Sequence, residues 1–235
     1  MSVTIAVDFT LSNLEITDNR SLHRQSKDGT MNSYEKAIFE VCNVMGKYAL
    51  DGCFNVYGFG GIPHYMGHRN TVSRLWNLNG TDDPRCEGTM EVLSAYQKGI
   101  MGTTLAGPSY FCSLLDKVKG SIKANLARTG IDNNRLYHVV IIITDGECHD
   151  MDETTRLLVS LSGMPFSAVV IGIGDGDFEK MEVLDADGEI LKDRNDNEAI
   201  RDIVQLVQYS DFKDLGQREL AMEVLGELPD QFVDY

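Results

Sequence analysis

Two stretches of this chain leave it little freedom in how to fold. Tyr137-His138-Val139-Val140-Ile141-Ile142-Ile143-Thr144 and Ser167-Ala168-Val169-Val170-Ile171-Gly172-Ile173-Gly174 are apolar almost without interruption and rich in β-branched residues. A strand with one wet face alternates apolar and polar side chains. A strand that does not alternate is buried on both faces, as in a parallel sheet covered by helices. Three further β-rich runs occupy residues 3–7, 54–60 and 203–207.

Segments with helical spacing separate these runs. Residues 32–48 place Tyr34, Ile38, Val41 and Met45 on one stripe, and residues 87–98 place Met90, Leu93 and Tyr96 or Gln97. Residues 109–126 carry Leu114, Leu115, Val118 and Ile122; residues 152–161 carry Leu157, Leu158 and Leu161; residues 214–225 carry Leu215, Leu220, Val224 and Leu225. Each stripe suits a helix packed on one side. Asp152 is expected to cap its helix, with Gly163 and Pro165 closing it. Strands alternating with such helices predict an α/β fold, a doubly wound, mostly parallel central sheet flanked by helices, in one domain over residues 1–235. Two segments read as insertions: polar residues 16–31, and residues 184–199. The second contains Asp185-Ala186-Asp187-Gly188-Glu189, which starts like a calcium loop but lacks the later ligands, so a hairpin turn with Asp-Gly at its tip is expected.

Composition narrows the function classes. The 235 residues are 43% hydrophobic and 24% charged, enough for a full core and too apolar for disorder. Acidic residues outnumber basic ones 36 to 21, a formal net charge of −15. Such a surface disfavours nucleic acid and repels anionic lipid. The five cysteines form no C-x-x-C pair and are odd in number, which suits a reducing, cytoplasmic setting and yields no zinc site. No apolar run reaches membrane-spanning length, and no secretory signal opens the chain. The abrupt start in a strand predicts that the chain is one part of a longer protein.

In doubly wound sheets, ligands bind outside the carboxyl ends of strands. The first strand ends in Asp8-Phe9-Thr10-Leu11-Ser12 and the third in Thr144-Asp145-Gly146-Glu147. Alternate oxygen side chains at 8, 10 and 12 can converge on one hard cation, which takes oxygen ligands. Asp145 lies at the same sheet edge, with Gly146 permitting a sharp turn. Two carboxylates there repel unless a cation lies between them. Either motif alone also fits an ordinary turn; together, each after a buried strand, they favour a metal site.

Asp8-x-Thr10-x-Ser12 with Thr144-Asp145-Gly146 resembles the metal-ion-dependent adhesion site of von Willebrand A domains. That family adds a hydroxyl from a middle Gly-Pro-Thr loop, matched here by Gly107-Pro108-Ser109. The resemblance thus implies Asp8, Thr10, Ser12, Ser109 and Asp145 as ligands, with Ser109 acting directly or through water. It narrows to copines through an ordered set: Asp8-Phe9-Thr10-x-Ser12-Asn13, Ser21-Leu22-His23, Asn32-Ser33-Tyr34-Glu35-Lys36-Ala37-Ile38, Tyr57-Gly58-Phe59-Gly60, Cys86-Glu87-Gly88, Leu93-x-Ala95-Tyr96, Val170-x-Gly172-x-Gly174, Arg201-Asp202-Ile203-Val204-Gln205 and Leu228-Pro229-x-Gln231-x-Val233. Copine resemblance implies a non-enzymatic, protein-recruiting domain holding magnesium or manganese, with calcium an alternative. A partner's acidic side chain would complete the metal site. It also implies two C2 domains elsewhere in the protein, through which membranes are reached when calcium rises. The A domain of RING-type ubiquitin ligases is the alternative family.

Three rival readings remain. An aspartyl-nucleophile phosphatase needs a second carboxylate two residues after the first, where this chain has Thr10. Gly172-Ile173-Gly174-Asp175-Gly176-Asp177 follows a late strand and carries aspartates that would repel a pyrophosphate. A scaffold whose metal site is unused is the third. His23, His64, His68, His138 and His149 show no metal spacing; His149 reads as a solvated loop residue, and Trp76 as packing.

Overall fold

A computed structural model describes residues 1–67, 70–129, 136–146, 148–176, 178–185, 190–212 and 217–235. The strands are β1 (Ser2–Asp8), β2 (Cys53–Phe59), β3 (Gly61–Pro63), β4 (Trp76–Asn77), β5 (Arg85–Glu87), β6 (Thr103–Leu105), β7 (His138–Thr144), β8 (Phe166–Gly172) and β9 (Val204–Gln208). The helices are α1 (Ser33–Met45), α2 (Gly88–Gly102), α3 (Cys112–Thr129), α4 (Met151–Leu161), α5 (Glu179–Glu182), α6 (Gln217–Val224) and α7 (Leu228–Val233). The main sheet runs β4-β2-β1-β7-β8-β9, with β5 also paired to β2. Strands β2, β1, β7, β8 and β9 are mutually parallel. The short β4 and β5 run antiparallel beside β2, and β3 pairs with β6 in a separate ribbon.

The uninterrupted apolar runs are the sheet's interior. Every residue of β7 and β8 is buried. Alternate side chains feed two cores, one on each face. Val3, Ile5 and Val7 join Val139, Ile141 and Ile143 beneath α1 and α2. Ala6, Val140 and Ile142 face the other way, against Leu114 and Leu115 of α3 and Leu157 and Leu158 of α4. The expected doubly wound α/β architecture is therefore observed, and no described helix is long and apolar enough to cross a membrane.

Several boundaries differ from expectation for local reasons. Asn32 lies outside α1 as its N-cap, in a reciprocal capping box with Glu35. Helix α2 buries Leu93 and Tyr96 as expected but turns Met90 to solvent, 71% exposed, and buries Val92, Gly99 and Ile100 instead. Helix α3 starts at Cys112, which leaves Ser109 in the preceding loop. Asp152 does not cap α4. That helix begins at Met151, and Asp150 precedes it. Asp150 turns its carboxylate to the backbone N–H groups of Phe111 and Cys112, both 3.0 Å away, at the start of α3. The expected Asp-Gly hairpin tip falls on residues 186–189, outside the described residues; beyond it, Lys192 and Glu198 form an isolated antiparallel bridge. All five cysteines are unpaired.

The single tryptophan, Trp76, is 5% exposed and lies across Gly58, where an added Cβ would sit 2.5 Å from the ring. A Gly58→Ala substitution should therefore lower the unfolding free energy by about 1–3 kcal/mol through overpacking. Gly120, on an open face of α3, meets nothing within 4 Å. Gly120→Ala should raise stability by about 0.5–1 kcal/mol, the helix penalty of glycine. Urea unfolding followed by Trp76 fluorescence checks both signs.

Candidate metal centre

Val7 pairs with Ile143 across the two central strands. Asp8 and Thr144, the next residues, therefore leave the sheet side by side. The chain winds outward from β1 to β2 on one side and continues from β7 to β8 on the other. The cleft between β1 and β7 is where the winding reverses, the place where open α/β sheets hold their ligands.

Three loops meet there. After β1 the chain enters a single 3-10 turn, Leu11–Asn13, with Thr10 in the N-cap position. Thr10 donates its N–H to Asp8 Oδ1 at 2.7 Å, its Oγ1 lies 2.9 Å from Ser12 Oγ, and Ser12 Oγ donates to Asp145 Oδ1 at 2.9 Å. Thr10 can close in because Gly60, at φ 80°, has no side chain; a Cβ there would sit 2.3 Å from Thr10 Cγ2. From the middle loop, Ser109 Oγ donates to Asp8 Oδ2 at 3.1 Å and lies 3.5 Å from Thr10 Oγ1. The structure thus gathers all five residues singled out by sequence: Asp8, Thr10, Ser12, Ser109 and Asp145.

Asp8 is 0% exposed and Asp145 7%, yet neither meets a lysine or arginine among the described residues. Burial pushes the Asp8 carboxyl above its ordinary range, against hydrogen bonds from Thr10, Thr144 and Ser109 that pull it down. Asp145 is pushed up to about 7, first by burial and then by the charge of Asp8, against the Ser12 hydrogen bond. Two desolvated carboxylates without a counter-charge are what a divalent cation would neutralise. Among the described residues no three His, Cys, Asp or Glu side chains gather. The donors here are two carboxylates and three hydroxyls, a hard-oxygen set suited to a small cation that keeps some of its water.

A supporting layer escaped sequence reasoning. Thr144 Oγ1 donates to Asp8 Oδ2 at 2.5 Å. Buried Asn13 donates to Asp8 Oδ1 at 3.4 Å and accepts from Tyr34 OH at 2.7 Å. His23, from the polar segment read as an insertion, is 0% exposed and stacks against Tyr34 at 4.1 Å and Phe9 at 5.5 Å. Its Nε2 is 2.9 Å from the Asp8 carbonyl and its Nδ1 2.8 Å from Tyr96 OH. A carbonyl only accepts, so Nε2 carries the proton and Nδ1 receives the Tyr96 hydroxyl. His149 is exposed, as expected, but not simply solvated. Its N–H donates to the Ser109 carbonyl at 2.9 Å, and its Nδ1 accepts from the Ser109 N–H at 3.3 Å. The Asn next to the hydroxyl motif was a usable signal for Asn13. Nothing periodic points to His23, because only the fold carries it inward.

The glycine run that begins at the last residue of β8 is structural. A Cβ at Gly172 would lie 2.7 Å from the Phe178 ring, one at Gly174 3.1 Å from Leu22, and one at Gly176 2.3 Å from the Asp145 carbonyl. These glycines make room for protein rather than for a phosphate; Asp177 lies outside the described residues.

Burial pulls His23 down to about 3, below its unfolded value of about 6.5. Its contribution to stability is therefore intact above pH ~6.5 and is lost as pH falls from there toward 3. His23→Phe should remove this part of the acid slope and lower stability at neutral pH by about 1–3 kcal/mol, through the two lost hydrogen bonds. Urea titrations of both proteins at pH 4, 5.5 and 7.5 measure the difference; parallel pH slopes would contradict it.

The family model described as Copine matches residues 21–235. Protein BONZAI 1 of Arabidopsis thaliana is 36% identical over 237 residues, covering 100% of this chain and 39% of its own length. Nicotinic receptor-associated protein 1 of Caenorhabditis briggsae is 35% identical over 249 residues, covering 100% of this chain and 38% of its own. The chain thus spans about two fifths of the curated relatives it matches. Among solved structures, proximal thread matrix protein 1 from the mussel byssus aligns with a TM-score of 0.52 at 14% identity, over 95% of this chain and 46% of that one, and supports the von Willebrand A-type fold. The chain belongs to the copine family.

Proposed function

We propose that this domain is a divalent-metal-dependent protein-recruiting module. Asp8, Thr10, Ser12, Ser109 and Asp145 would hold magnesium or manganese, with calcium as an alternative, and an acidic side chain of a target protein would complete the coordination. The observation that carries the reading is the convergence of three hydroxyls, from Thr10, Ser12 and Ser109, on two buried carboxylates that no basic side chain among the described residues neutralises. When bound, the cation supplies positive charge at the sheet edge, which allows a protein of net charge −15 to accept a further carboxylate. The chain's own part is positional. Thr144 and Asn13 orient Asp8, Ser12 links Asp145 to the first loop, and the Ser109–His149 pairing fixes the middle loop against the third. Nothing in this role calls for turnover: the position that would carry a second catalytic carboxylate is Thr10, whose hydroxyl lies against Ser12.

Copine membership supports placing the domain in a longer, cytoplasmic protein whose C2 domains bind phospholipid when calcium rises, with membrane contact made through them alone. A relative named for association with a nicotinic receptor is in keeping with protein recruitment. The reading gives no place to nucleic acid.

Titration calorimetry with magnesium tests the metal site. Asp8→Ala and Asp145→Ala should each weaken binding by at least about 100-fold, and Ser109→Ala by about 10-fold, given that even outer-shell losses cost 10–100-fold. Unchanged affinity in both aspartate variants would sink the proposal. Protons should also compete with the metal at Asp145, which is pushed up to about 7. Affinity should rise as pH increases from 5 through 7 and level off above, with proton release on binding. Equal affinity at pH 5.5 and 8 would contradict that assignment.

A further inference from the structure

Arg74 stands apart from the arginines whose partners are internal. Arg20 closes on Asp18, Arg85 on Asp83 and Arg156 on Glu153, while Arg201 spends its donors on the carbonyls of Gln231, Met164 and Phe166. Arg74 is exposed and pairs with no carboxylate among the described residues. Instead its guanidinium carbon lies 4.8 Å from the centre of the Tyr110 ring. Tyr110 directly follows Ser109. A guanidinium stacked on an aromatic face is held in orientation while its N–H fork stays open for a carboxylate.

The base beneath Arg74 is fixed to the metal loops. Gly60, the seat of Thr10, donates its N–H to the Ser73 carbonyl at 3.0 Å, and the Ser73 N–H donates to Gly61 at 2.8 Å. The Val72 side chain covers Gly107 of the middle loop, where an added Cβ would lie 2.7 Å from it. Covalent reach through Ser109 and Tyr110 puts the guanidinium within about 15 Å of the Ser109 hydroxyl. An extended peptide covers that distance in about four residues.

We propose that Arg74 is a second recognition point beside the metal, and that the partner presents two acidic side chains a few residues apart, one for the cation and one for Arg74. The inference rests on the proposed metal-dependent capture and deepens it. A lone carboxylate is too common on protein surfaces to specify a partner. A second acid at fixed spacing adds selectivity through charge complementarity. The open, pre-oriented fork matches that need, in a chain whose −15 charge would otherwise repel such a segment.

The test uses the magnesium-saturated domain and three labelled synthetic peptides of equal length in a Gly/Ser background, read by fluorescence polarisation. One carries a single Asp, one an Asp with a Glu three residues later, and one the same Asp with the Glu ten residues away. The wild type should bind the closely spaced peptide about fivefold more tightly than the widely spaced one, the gain of a partly exposed ion pair. Arg74→Gln should bind these two peptides equally, while its magnesium affinity and its binding of the single-Asp peptide stay at wild-type values. Arg74→Lys should restore only part of the preference, because it keeps the charge and loses the fork. A spacing preference that survives Arg74→Gln, or no preference in the wild type, overturns the inference alone. Absence of magnesium-dependent binding by all three peptides overturns the acidic-partner reading and this inference with it.

Discussion

The burial of the Asp8 carboxylate organises the rest of the molecule. Removing an ionised carboxylate from water costs several kcal/mol even after the protein relaxes, and here a second, Asp145, stands close enough to raise the penalty. The surroundings are arranged to meet it. The Thr10 N–H, the hydroxyls of Thr144 and Ser109 and the amide of Asn13 all converge on Asp8. These donors come from the segment after β1, the middle loop and the last residue of β7. The register of β1 on β7 sets Thr144 against Asp8, and the glycine at 60 lets Thr10 close in.

How far this could be read from sequence depended on whether a signal was local. The apolar runs at 137–144 and 167–174 announce buried strands because full burial removes the need for polar alternation. The residues at their ends then mark the site, because a doubly wound sheet brings strand ends together. Asp8, Thr10, Ser12, Ser109 and Asp145 were legible for that reason, with family resemblance supplying Ser109. His23 was not, since it lies in a polar stretch whose composition suggests a surface loop. It is drawn inward by stacking on Tyr34 and by hydrogen bonds to Tyr96 and the Asp8 carbonyl, all contacts distant in sequence. In sequence, Asp152 looks like a cap because a first-turn acid looks the same whether or not it caps. The neighbouring Asp150 had a stronger claim on its carboxylate, from the backbone at the start of α3.

That detail links two parts of the site. Asp150 also accepts from the Cys148 thiol and the Thr154 hydroxyl, both at 3.0 Å. Burial raises the Asp150 carboxyl, but the hydrogen bonds from Cys112, Cys148, Phe111 and Cys112 backbone outweigh it, and the group is held below its ordinary range. A carboxylate that stays ionised here pins the turn after β7 to the entrance of α3. With the Ser109–His149 pairing, it makes the loops carrying Ser109 and Asp145 one braced unit, while Thr10 and Ser12 approach from the other side.

The position of β1 in the sheet has a kinetic consequence. Its Asp8 meets Thr144 across 136 residues of chain, and central parallel strands joined over such separations are slow to pair, because the intervening loop must close before any contact rewards it. During synthesis β1 emerges before the other strands of the sheet and has no partner on that side until β7 follows. The constellation of Asp8, Ser109 and Asp145 therefore cannot exist in a partly folded chain. It forms only when the two halves of the sheet have joined, so any property of the assembled site, the proposed metal binding included, would report completed folding.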